Sequence, residues 1–259
     1  MLKRTVLIFF TLTSFFTMLS ASSAAKKWSL DLSSTLNSNL YKKKSVDHSM
    51  GSSFDASFGY DFSSFNSNLS LSASKDLQGL REFTLQDGAL SFSKELQTYY
   101  NFSFSTKMAL TIPLSEASQK NNRLYTALGI SPSLTYTNKD LSISLTPSVL
   151  VQFHELKTAK LGTPNTQYAL GASLGLSYQF TDVISAFLTG ALKKSITYNG
   201  FKKDNYSTSQ GLVLSFGKLY YVFSHSIGKA LLNTRGNNIN IDLFDSRNSI
   251  VGFSVGHTF

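Results

Sequence analysis

The stretch Phe54-Asp55-Ala56-Ser57-Phe58-Gly59-Tyr60-Asp61-Phe62-Ser63-Ser64-Phe65-Asn66-Ser67-Asn68-Leu69-Ser70-Leu71 decides the fold. Up to Phe62 every second residue is apolar, and the residues between are Asp, Ser and Gly. After Ser63-Ser64 the alternation resumes with Leu69 and Leu71 against Asn68 and Ser70. Successive side chains of a β-strand point to opposite faces, so this period of two predicts two strands joined by a short turn, each with one apolar and one polar face.

The same pattern extends in both directions. Upstream, Trp28, Leu30, Leu32 and Leu36 alternate with Ser29, Asp31, Ser33 and Asn37. Downstream it recurs at 100–110, 124–135, 141–151, 168–178, 209–216, 219–227 and 251–259, and more weakly at 85–94 and 183–192. Both faces of 183–192 are apolar, so its inward face stays open. Twelve strands result. Their connections alternate short (63–64, 95–98, 138–140, 181–182, 217–218) and long (41–50, 75–84, 111–123, 154–167, 193–205, 229–247). Gly217 stands first in its turn, as a two-residue II′ turn wants. Pro132 and Pro147 fall inside adjacent strands, opposite each other across a turn at Lys139-Asp140. Each lacks a ladder donor, so a bulge or local widening is expected there.

An even strand count, short turns on one side and long loops on the other describe a transmembrane barrel of the bacterial outer membrane. A soluble β-sandwich also gives alternating strands. Three features oppose it: strand length, a polar face of Ser, Gly, Asn and Thr rather than Lys and Glu, and aromatics gathered near the short turns. These are Trp28, Phe62, Phe65, Tyr100, Tyr136, Tyr178, Phe180, Phe216 and Phe259, and they suit a membrane-interface girdle.

Residues 1–25 have the layout of a cleaved export signal, leaving a barrel over residues 26–259. Lys3 and Arg4 are basic, 5–19 is apolar, and Ser23 and Ala25 fit the small positions before a cut after Ala25, with Ala24 as the near alternative. Its apolar run is shorter than the ~20 residues of a spanning helix. Loss of Lys3 and Arg4 lowers the formal charge from +9 to +7. The chain has no Cys, which excludes disulfides and thiolate-bound metal.

The final strand, Val251-Gly252-Phe253-Ser254-Val255-Gly256-His257-Thr258-Phe259, resembles the assembly signal of outer-membrane barrel proteins. In that family a terminal aromatic ends an amphipathic strand read by the insertion machinery. Phe253, Val255 and Phe259 match, whereas His257 stands where an aromatic or aliphatic residue is usual. The resemblance covers nearly the whole chain and indicates a porin-like class without a subfamily. It implies outer-membrane lipid and the insertion machinery as partners, and the basic long loops would add attraction for lipopolysaccharide phosphates.

Barrel enzymes that process lipids resemble one another in placing His and Ser two apart on one strand face. His225 is flanked at that spacing by Phe223 and Ile227, and His48, His154 and His257 lack such a Ser as well. No catalytic residue, cofactor or metal ligand set is expected, and nothing points to nucleic acid. Positive charge gathers in long loops, at Lys42, Lys43 and Lys44 and at Lys193, Lys194, Lys202 and Lys203. The expected lumen lining is small and polar, with Asp31, Asp55, Asp61 and Lys107 as its charges. The reading is a passive channel for small hydrophilic solutes, with a basic mouth that would attract anionic ones. A closed structural or adhesion barrel and a lipid-modifying enzyme are the alternatives.

Overall fold

The computed structural model describes residues 27–41, 47–78, 81–232, 239, 241–245 and 248–259. The expected export signal and Lys42, Lys43 and Lys44 lie outside them. The strands are β1 (Trp28–Asn39), β2 (Met50–Asp61), β3 (Asn66–Asp76), β4 (Phe83–Leu85), β5 (Gly88–Tyr99), β6 (Phe102–Ile112), β7 (Leu124–Asn138), β8 (Leu141–His154), β9 (Thr166–Gln179), β10 (Ile184–Thr197), β11 (Lys202–Phe216), β12 (Leu219–Ala230) and β13 (Ser249–Thr258). Each pairs antiparallel with its sequence neighbour, save that β3 pairs with both β4 and β5. β4 and β5 are thus one stave interrupted at Gln86-Asp87. The sheet closes where β1 pairs with β13, from Asp31↔Thr258 to Asn39↔Ile250. Twelve staves form a closed barrel, which leaves no edge strand to satisfy.

Register carries the alternation coherently around the wall. Phe92, Met108, Ile130, Val149 and Leu170 lie side by side across five strands, all facing out and all exposed. Thr146, Ser173, Ala191 and Ser207 form an inward row. Large apolar side chains therefore cover the exterior, the reverse of a soluble protein, and the outer band meets hydrocarbon. At the short-turn end the expected girdle is assembled. Tyr60 and Phe62 lie 4.6 Å apart, Phe62 and Phe65 4.7 Å, Phe102 and Tyr136 5.0 Å, and Tyr178 and Phe180 5.0 Å.

Three local readings change. The turn expected at 95–98 lies instead at Tyr100-Asn101, because a bulge between Glu95 and Gln97 keeps β5 running to Tyr99. Tyr100 takes φ 51° there. The long loop expected at 193–205 shrinks to 198–201, because Lys193, Lys194, Lys202 and Lys203 belong to β10 and β11. The face of β10 is settled by its neighbours. Leu188 pairs with outward Leu176, so Ser185, Phe187, Thr189, Ala191 and Lys193 face the lumen. Gly217, at φ 65°, makes the tight turn expected of it.

Pro132 and Pro147 do face each other. The β7–β8 ladder stops between Ile130↔Val149 and Leu134↔Leu145 and resumes in unchanged register. This is an interruption of the ladder without a bulge. Two missing N–H groups remove both reciprocal bonds of one pair, but nothing inserts an extra residue. On the lumen side Ser133 and Thr146 bridge the gap, Oγ to Oγ1, at 2.9 Å.

Candidate functional site

A barrel's working surface is its lumen and the rim above it. Inward positions of β7, β8 and β9 carry Gly129, Ser131, Ser133, Ser144, Ser148, Gly171, Ser173, Gly175 and Ser177. Three of the twelve staves are thus lined mainly by small groups that project little into the interior and offer hydroxyls, with Leu150 and Gln152 as larger inward residues nearer the long loops.

The adjoining wall of β10–β12 differs near the short-turn end. Phe187, Val213, Tyr220 and Val222 face inward and pack together, with Val213, Tyr220 and Val222 buried. Both rings lie across glycines of adjacent strands. A Cβ at Gly211 would stand 2.8 Å from Cε1 of Phe187, and one at Gly256 2.1 Å from Cζ of Tyr220. Tyr220 thereby crosses β13 and donates its hydroxyl to Asp31 Oδ1 at 2.8 Å. Thr258 Oγ1 donates to Oδ2 at 2.7 Å. Asp31 faces the lumen as expected, but it also clasps the β12–β13–β1 closure.

This cluster escaped sequence reading, because a Tyr on a polar face and glycines on the neighbouring strands carry no joint signal. It makes a testable prediction. Gly256→Val should displace the Tyr220 ring and cost about 1–3 kcal/mol, as overpacking does. Gly190→Ala, where a Cβ meets nothing within 4 Å, serves as the control and should change little. Urea midpoints of the refolded variants check it.

The other expected lumen charges divide by depth. Asp55 faces inward beside Ser53, whose hydroxyl donates to Oδ2 at 3.4 Å. Asp61 sits at the short-turn rim, where Oδ1 accepts from the Ser63 N–H at 2.8 Å and so caps the turn. Lys107 faces the lumen midway along β6, opposite Ser93 and Ser131. Strand alternation splits the second lysine cluster. Lys193 and Lys203 point inward, opposite Asn205 and Ser195, whereas Lys194 and Lys202 point outward. Lys194 lies 3.8 Å from Asp204, its outward neighbour.

The rim above β6–β11 is braced. Asn165 Nδ2 donates to the carbonyls of Asn122, at 3.0 Å, and Leu156, at 2.8 Å. Lys160 N–H donates to Asn121 O, and Arg123 meets Glu155 at 3.1 Å. Two successive long loops thus share one hydrogen-bonded frame. In β13, Phe253 and Val255 face outward, and Phe253 packs on Phe223 at 4.9 Å. Phe259 N–H donates to Leu30 O at 2.8 Å, which ties the terminal aromatic to β1. His225 and His257 face outward, against Phe244 at 5.6 Å and Phe259 at 4.3 Å. His154 meets Tyr198 edge-on. Among the described residues no group of three or more His, Cys, Asp and Glu could hold a metal.

No known protein family and no curated protein matches this chain by sequence. Solved structures do match in shape. An outer membrane channel from Pseudomonas putida F1 superposes with a TM-score of 0.63 at 10% identity, over 91% of this chain and 97% of that one. The NanC porin gives 0.56 at 11% identity, over 89% and 98%. The KdgM porin, solved in complex with disordered oligogalacturonate, gives 0.50 at 11% identity, over 89% and 99%. With its closed antiparallel staves, apolar exterior and aromatic girdle, the chain is a twelve-stave transmembrane β-barrel of the bacterial outer-membrane type, similar in fold to porin-like channels.

Proposed function

We propose that the barrel is a passive channel for small hydrophilic solutes, with a weak preference for anions. The observation that carries this reading is the inward wall of β7–β9, where small residues and hydroxyls replace the bulky side chains that fill narrower barrels. Lys107, Lys193 and Lys203 add inward positive charge on three staves, and the inward acids Asp31, Asp55, Asp61 and Asp76 lie on β1, β2 and β3, with only Asp76 near the long loops beside Lys193 and Lys203. Asp31 already holds two hydroxyls. Solutes would therefore meet a hydrated wall and a net basic upper half, without a tight binding site. Likeness to porins supports the reading at the level of fold.

Planar-bilayer recording on refolded protein tests it. Stepwise ohmic openings are expected, with a reversal potential under a salt gradient that favours the anion at low salt and fades as salt rises. A silent barrel would instead favour a closed structural or adhesion role, with the Phe187–Tyr220 cluster as part of its filling.

A further inference from the structure

The segment 241–245, between β12 and β13, lies against the outside of the barrel. Burial shows this directly. Tyr206, Ile227 and Ser249 occupy outward positions, where other large side chains of the wall are about half exposed. Yet they are only 4%, 1% and 0% exposed. An outward residue can be covered only from outside, and the segment 241–245 lies on Tyr206 and Ser249.

Its attachment is polar. The Tyr206 hydroxyl accepts from the Asp242 N–H at 2.7 Å and donates to the Asp242 carbonyl at 3.2 Å. Lys229, also outward, lies 2.5 Å from Asp242 Oδ2 and 2.6 Å from Asp245 Oδ2. Ser249 N–H donates to Asp245 O, and Ser249 Oγ accepts from the Asp245 N–H. A lone lysine facing lipid is costly, and two carboxylates under a cover remove that cost. Between the two aspartates, the Phe244 ring stacks on His225, which faces outward on the same strand as Lys229.

Its other face is apolar. Ile239, Ile241, Leu243 and Phe244 are 70%, 52%, 63% and 66% exposed. Ile241 also borders a groove of about 290 Å³ whose wall includes Leu174, Gly190 and Leu192. All three are outward residues of the apolar belt, so the surface is continuous with the one that meets lipid.

We infer that this segment is a lipid-binding flap: pinned to the wall by the Lys229–Asp242–Asp245 cluster, it presents Leu243, Phe244 and Ile241 to acyl chains of the outer leaflet. The occupant is hydrocarbon chain, and the flap stays outside the channel mouth.

Leu243→Trp in a Trp28→Phe background reports the position of the flap, since Trp28 is the chain's single tryptophan. The full barrel is refolded into phosphatidylcholine vesicles with bromine atoms placed on the acyl chains just below the headgroup. Blue-shifted emission, strong quenching by bromine and weak quenching by aqueous iodide are expected. Lys229→Met should release the flap, shifting the emission to the red and exchanging bromine quenching for iodide quenching. Heat-modifiable gel mobility verifies that each variant folds. Iodide quenching without bromine quenching in the Lys229 protein would overturn the inference and place the segment in water or over the mouth. Unchanged spectra in Lys229→Met would overturn the role of the cluster.

Discussion

Replacing Lys193 and Lys203 together with Glu should reverse the channel's ion preference, while the same exchange at Lys194 and Lys202 should leave it nearly unchanged. The four residues lie within ten positions of one another, and the two variants alter net charge equally. Only the face differs. The inward pair projects into the path of the solute, whereas the outward pair projects from the far side of the wall. Exposed charges act over a Debye length of about 8 Å at physiological salt, so the outer pair is screened from the lumen. The reversal potential under a salt gradient, recorded for parent and both variants, checks this. Equal shifts in the two variants would mean that charge at the mouth acts through its total and not through its side of the wall. This expectation rests on the proposed channel activity, and a silent parent would remove it.

A comparable contrast is expected for folding at the middle of β9. Leu174 is 56% exposed on the lipid face, and Ser173 beside it faces the lumen. Leu174→Arg should cost ~2–4 kcal/mol, the penalty of a cation at the bilayer midplane. Ser173→Arg keeps its guanidinium among hydroxyls and should destabilise less. Urea titration of protein folded into vesicles gives both values. Equal penalties, or the reverse order, would show that the wall is not divided between lipid and lumen at this register.

The value of the strand pattern lies in what each residue had to satisfy. In a barrel wall every side chain has only two environments, and neighbours along the strand must take opposite ones. Leu174 and Ser173, or Phe54 and Asp55, therefore declare their faces without any knowledge of their partners. Twelve staves, the outward apolar band and the girdle around Phe62, Tyr136 and Phe180 followed from that local rule. So did the inward placement of Asp31, Asp55 and Lys107. Turn positions were less legible. The bulge at Glu95–Gln97 shifts a hairpin to Tyr100-Asn101, and a bulge depends on cross-strand hydrogen bonding that no single strand encodes.

Tertiary structure decided what depends on two or more staves at once. β10 is apolar on both faces, so only its pairing with β9 and β11 could send Phe187 and Lys193 inward. Closure between β1 and β13 brings Tyr220, Asp31 and Thr258 together, although Tyr220 and Asp31 are 189 positions apart in sequence. The β12–β13 loop gave only a charged, mixed stretch when read along the chain. The placement of 241–245 onto Tyr206 and Lys229 makes Asp242 and Asp245 partners of the wall. The physical reason is common to these cases. Side-chain alternation is a property of one strand and is written in its order of residues. Register, closure and loop docking are set by hydrogen bonds and packing between segments distant in the chain, and these exist only once the barrel has formed.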